Sequence, residues 1–138
     1  MKTQVQFTSD AFPAYPGEEE QINPGRWGKR VSEFVHDGLQ RSGVPVKDLI
    51  AEDWGWIVPI QNPGFPLWLG CGNMDEDAGN IYMIFIEPTK PYIWRWFRRI
   101  HAEPAVTRLA TTLNELLSRN RAIGNIEWYT AEEFNPSR

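Results

Sequence analysis

The stretch Glu52-Asp53-Trp54-Gly55-Trp56-Ile57-Val58-Pro59-Ile60 constrains the fold more than any other. Two acids and two tryptophans surround a glycine, and an apolar run follows at once. Asp and Gly in succession bend a backbone. Trp56, Val58 and Ile60 then alternate with Ile57 and Pro59, the period of a strand with one buried face. Pro59 cannot donate to a ladder, which puts this strand at an edge or breaks it there.

Further strands follow closely. Asn62-Pro63-Gly64 is a tight-turn signal. Leu67, Leu69 and Cys71 alternate with Trp68, Gly70 and Gly72. A polar turn over 75–80 leads into Ile81–Ile86, the most hydrophobic run, expected at the centre of the sheet and stopped by Pro88. Val46 to Glu52 reads as a short strand before the Asp53 turn. Val5 and Phe7 mark a first strand over 3–8, and Ile126 and Trp128 a last one.

Helices flank this cluster. Asn23-Pro24 is a helix start, with Asn as cap and Pro at the first helical position. Trp27, Val31, Phe34, Val35 and Gly38 then give one apolar face over 24–42, closed by Gly43. Gly38 on that stripe points to a close neighbour. Ile93, Trp96, Phe97 and Ile100 fall at i, i+3, i+4 and i+7, so a short helix is expected from Pro91, ending at His101. Pro104 opens a second, with Val106, Leu109, Leu113 and Leu117 on one face. The expected order is β-α-β-β-β-β-α-α-β. That is an α+β domain over 1–138: a mostly antiparallel sheet of five to six strands with helices on one face. Residues 9–23 form a long loop and 134–138 a frayed tail.

Composition narrows the function classes. The 138 residues hold 41% hydrophobic and 23% charged residues, globular values. The net charge of −4 argues against general nucleic-acid binding. The N-terminus lacks an apolar signal segment and no run reaches membrane-span length, so a cytoplasmic protein without membrane attachment is expected. Cys71 is the single cysteine and excludes an intramolecular disulfide.

Little in the chain carries catalytic chemistry. Glu52 and Asp53 could divide acid and base work beside Trp54 and Trp56, but neighbours in a strand point to opposite faces. His36, His101 and Cys71 have no zinc spacing, and Cys71 between two glycines reads as a small buried hydrophobe. The turn from Asn73 lacks the glycine and glutamate of a calcium loop. No phosphate-binding glycine motif is present, so neither a metal nor a cofactor is expected.

Three surfaces remain. Glu18, Glu19, Glu20, Asp75, Glu76 and Asp77 could form an acidic face for a basic protein partner. Trp27, Trp54 and Trp56 could wall a pocket beside loop 9–23, with Glu52 or Asp53 as its polar group. Arg95, Arg98 and Arg99 beside Trp94 could hold an anion. The first surface gives the leading expectation: a non-enzymatic interaction protein that neutralises or regulates a basic partner, as immunity proteins do. A small-molecule binder or enzyme and an anion-binding module are the alternatives. No oligomeric state follows from the residues.

Asn23-Pro24-Gly25-Arg26-Trp27-Gly28, Glu52-Asp53-Trp54-Gly55-Trp56 and Pro88-Thr89-Lys90-Pro91 together resemble a group of small bacterial α+β domains. The resemblance spans about residues 20 to 130. It implies a single bacterial cytosolic domain; no activity attaches to the group, and no residue role is carried over.

Overall fold

The computed structural model describes residues 1–74, 77 and 79–134. Its main element is a six-stranded antiparallel sheet. In chain order the strands are β1 (Lys2–Thr8), β2 (Ile50–Glu52), β3 (Gly55–Ile60), β4 (Leu67–Asn73), β5 (Ile81–Glu87) and, closing the sheet, β8 (Gly124–Thr130). They lie in the order β2-β3-β4-β5-β1-β8. The α+β class, the antiparallel sheet and the central position of Ile81–Glu87 are as the sequence predicts.

The alternation of apolar residues sorts the sheet into two faces. Val5, Phe7, Val58, Leu69, Ile84 and Ile86 point to one side and are almost fully buried. Helices α2 (Lys29–Arg41) and α3 (Glu103–Arg119) cover that side. Helix α2 packs on β3 and β4, α3 on β5 and β8, and the two pack on each other. Gly38 makes the helix contact possible, since a Cβ there would lie 3.0 Å from the Leu116 methyls. The opposite face carries Gln4, Gln6, Ile57, Trp68, Met83, Phe85 and Glu87, all half-buried. Two four-residue helices, α1 (Glu18–Gln21) and α4 (Ala131–Phe134), complete the chain. Among the described residues no helix is long and apolar enough to cross a membrane.

Two local expectations are corrected. Helix α2 begins at Lys29, not at Pro24. Residues 23–26 instead close a tight bridge, with Gly25 at φ 78°. The segment Pro91–Ile100 is not a helix. It is a β-hairpin of β6 (Tyr92–Arg95) and β7 (Arg98–His101), with His101 on its second strand. Ile93 and Ile100 pair across the hairpin and pack against the core. Seven residues apart, they satisfy a helical stripe and a hairpin equally well. Pro59 sits in an inner strand, beyond the end of the short β2, where its carbonyl accepts from Lys47 N at 2.8 Å and its missing N–H leaves that pairing one-sided.

Three glycine backbones lock the sheet to the start of α2. A Cβ on Gly28 would lie 2.6 Å from the Cys71 carbonyl oxygen, and one on Gly55 2.3 Å from the same atom. A Cβ on Gly72 would stand 2.8 Å from the Trp54 carbonyl. Gly55→Ala therefore combines a positive-φ backbone (φ 155°) with a clash against main chain. We expect it to cost about 3 kcal/mol or more in urea unfolding. Gly43→Ala, also at positive φ but with open space around it, should cost only about 1–2 kcal/mol.

Candidate functional site

The acidic run that begins α1 does not form a continuous acidic surface. Glu18 is 3% exposed, and its carboxylate collects four N–H donors. Oε2 accepts from the backbone of Gly28 and Lys29, both at 2.8 Å, and from the Trp56 indole at 2.9 Å. Oε1 accepts from Tyr15 N at 3.0 Å. The N-terminus of α2 is thus capped by an acid from a preceding element, and a negative charge suits that end of the helix dipole. Glu19 is half-buried and accepts from Gly25 N at 2.8 Å. Of the three glutamates only Glu20 is exposed. Asp77 is exposed. Asp75 and Glu76 lie outside the described residues. The expected acidic face is corrected accordingly: Glu18 is structural.

The expected tryptophan-walled pocket also dissolves. Trp56 is buried on the helix-covered side and holds Glu18. Trp27 is buried too; its indole donates to the Tyr82 hydroxyl at 3.0 Å, and that hydroxyl donates to the Phe12 carbonyl. Its backbone is fixed by Asn73, whose side chain accepts from Trp27 N at 3.0 Å and donates to the Gly25 carbonyl at 2.9 Å. Neither ring is free to touch a ligand.

Trp54 alone of the three faces out. It lies on the open side of the sheet, tilted against Phe85 with ring centroids 5.2 Å apart. Phe85 in turn meets Trp68 edge-on at 5.6 Å. The rings rest over Gly70, where a Cβ would fall 2.3 Å from Phe85 and 2.7 Å from Trp54. Beside them opens a cleft of about 520 Å³ lined by Asn23, Arg26, Asp53, Trp54, Gly72, Asn73, Met74, Met83 and Phe85. Asp53 reaches it; Glu52, exposed on the edge strand β2, does not line it. The two acids are therefore not a catalytic pair. Arg26, which nothing in the sequence marks as a binding residue, enters because the 23–26 turn carries it over the end of β4, where it contacts the Asn73 and Met74 carbonyls at 3.4 Å.

The hairpin is the second exposed feature. Trp94, Trp96 and Phe97 are 75%, 80% and 102% exposed. Trp96 and Phe97 form its two-residue tip at φ 54° and 61°, a conformation usually given to Asn-Gly. Arg95 stands directly opposite Arg98 in the ladder, an unfavourable like-charge pair. Arg99 lies over the Tyr92 ring at 4.5 Å, and His101 stacks on that ring at 4.6 Å. The three arginines and Trp94 do share one element, though as strand neighbours.

Catalytic and metal chemistry finds little footing. Cys71 is fully buried, and burial pushes its thiol far above the ordinary range. It stays a thiol and is no nucleophile. His36 bonds its neighbour Asp37 at 2.9 Å. Among the described residues no three His, Cys, Asp or Glu side chains gather as metal ligands. Burial also raises the carboxyl of Glu87, opposite Trp68 on the open face.

Two outcomes follow. Glu18→Gln turns an amide N–H toward donors and should cost about 3 kcal/mol in urea unfolding, with a shifted Trp56 indole resonance. Glu20→Gln, on the exposed neighbour, should stay within about 0.5 kcal/mol of the parent. Glu87 holds its proton more tightly folded than unfolded, so its effect on stability worsens as pH rises through its folded pKa. Glu87→Gln should therefore raise the urea midpoint at pH 7, and that gain should fade below the ordinary glutamate range. Compared with family models, curated proteins and solved structures, the chain matches none.

Proposed function

We propose that this chain is a non-enzymatic interaction protein that docks through the β6–β7 hairpin. The carrying observation is the exposure of Trp94, Trp96 and Phe97 on an element that also carries Arg95, Arg98 and Arg99. Trp, Tyr and Arg are the residues that dominate binding energy at protein interfaces. Three such rings bury roughly 150–250 Å² each. At about 25 cal/mol per Å² that is about 11–19 kcal/mol of gross gain, comparable to the cost of association.

The sign of the partner is the reverse of that expected from the acidic runs. From Pro88 to Ala102 the chain holds Lys90, Arg95, Arg98 and Arg99 and no acid. An apolar pocket rimmed by carboxylates complements it. A polyphosphate partner is disfavoured by the net charge of −4. A basic partner has less to hold, because Glu18 is buried and Glu19 is tied to Gly25.

Local strain at the tip supports a binding role. Two bulky residues at positive φ, and two opposed arginines, destabilise the hairpin without serving the core. Trp96→Asn/Phe97→Gly keeps the turn and removes the rings. It should raise stability by about 1 kcal/mol or more in urea unfolding. Immobilised full-length chain should retain an acidic protein from host extract at low salt, and the double variant should lose it. Identical retention by both chains would defeat the proposal.

A further inference from the structure

The cleft over Gly72 has polar chemistry that the hairpin reading does not use. Arg26 is half-buried, yet among the described residues its guanidinium engages the protein only through Nη1, at two long carbonyl contacts of 3.4 Å. Its Nε and Nη2 donors, the edge that grips a carboxylate with two parallel bonds, have no protein acceptor among the described residues. Across the same cleft Asp53 has neither a hydrogen bond nor an ion pair among the described residues, and the two charges do not pair with each other. Among the described residues neither charge meets one of opposite sign, and a ligand that brings both signs complements the pair.

Apart from Asn23 and Asn73, the remaining lining is apolar. Trp54 and Phe85 lie tilted over side-chain-free Gly70, and Met83 adds a polarisable thioether. Gly72 lines the cleft beside them, beneath the Trp54 carbonyl. At about 520 Å³ the cleft is of the size that small molecules occupy. Its position is fixed rather than accidental. Asp53 sits on the turn that Gly55 and Gly72 clamp, and Arg26 on the segment that Asn73 ties to β4.

We infer that this cleft binds a small aromatic zwitterion of the aromatic α-amino-acid class. Its carboxylate meets Arg26, its ammonium group meets Asp53, and its ring lies on Trp54, Phe85 and Met83. Neither charge alone suffices: an aromatic anion leaves Asp53 facing no cation, and an aromatic amine leaves Arg26 facing no anion. This site is separate from the hairpin and stands whether or not the hairpin docks a protein.

The test uses the ¹⁵N-labelled full chain and follows the Trp54 indole and Arg26 Nε–H resonances. Three probes are titrated: L-tryptophan, tryptamine without the carboxylate, and 3-indolepropionate without the ammonium group. L-Tryptophan should shift both resonances saturably, and each charge-deleted analogue should bind at least tenfold more weakly. Arg26→Gln should reduce L-tryptophan to the affinity of tryptamine, with Arg26→Lys recovering part of the loss. Asp53→Asn, on an exposed turn, should reduce it to that of 3-indolepropionate. Trp96→Asn/Phe97→Gly should leave L-tryptophan binding unchanged, which separates this site from hairpin docking. Absence of a saturable shift at millimolar L-tryptophan would overturn the inference. So would equal binding of all three probes, or adenosine monophosphate binding more tightly than L-tryptophan.

Discussion

The carboxylate of Glu18 is the point on which the rest of the structure depends. A buried charge is expensive unless its lone pairs are filled. Here four N–H groups fill them, and the first turn of α2 adds its dipole. Hydrogen bonds to charged groups are worth about 1.5–3 kcal/mol each in net terms, so this cluster outweighs any single apolar contact. It also joins three separate stretches. The loop at Tyr15, the start of α2 at Gly28 and the indole of Trp56 on β3 all converge on one carboxylate. The orphan donors of a helix start, which usually find a local Ser, Asn or Asp, are satisfied from eleven residues away.

From that point the open face of the sheet follows. Glu18 holds Gly28 where it can approach the Cys71 carbonyl, and Gly55 approaches the same atom. Both contacts need residues without a Cβ. Once they form, the Asp53-Trp54 turn must fold over Gly72, and Trp54 must lie on the side away from the helices. Trp56, two residues on, points inward to Glu18. The pair of tryptophans that looks alike in sequence is therefore divided by the sheet: one completes the core network, and the other is left for the cleft.

The sheet was legible because its strands alternate cleanly and its turns carry Pro, Gly and Asn. Helix α3 was legible through Val106, Leu109, Leu113 and Leu117, with Pro104 marking its start. What stayed hidden depended on partners far apart in the chain. Glu18 reads as part of a solvated acidic run, and only the fold brings α2 and Trp56 to it. Arg26 reads as one polar residue in a turn, and only the Asn73 tie sets it over β4. Glu52 and Asp53 read as a pair, yet one ends an edge strand and the other begins a turn. The hairpin misled for a different reason. Its tip holds Trp-Phe where the backbone favours Asn-Gly, so the usual turn signal is missing, and the spacing of Ile93 and Ile100 fits a helix as well.

That missing signal is itself informative. A sequence that specifies one fold tends to agree with itself at every level, and the exceptions concentrate where something other than folding sets the residue. In this chain the exceptions fall in two places. At the hairpin tip, bulky rings take positive φ, and two arginines face each other across the ladder. On the open face, aromatic rings lie half-exposed over a glycine, a carboxyl is held above its ordinary range by burial, and a guanidinium has no anion among the described residues. Neither place supports the core, whose contacts lie on the other side of the sheet or beneath Ile93 and Ile100. On the proposed function, the frame built on Glu18 and the three glycines carries both unfavourable sites, and their residues answer to binding instead of to the core.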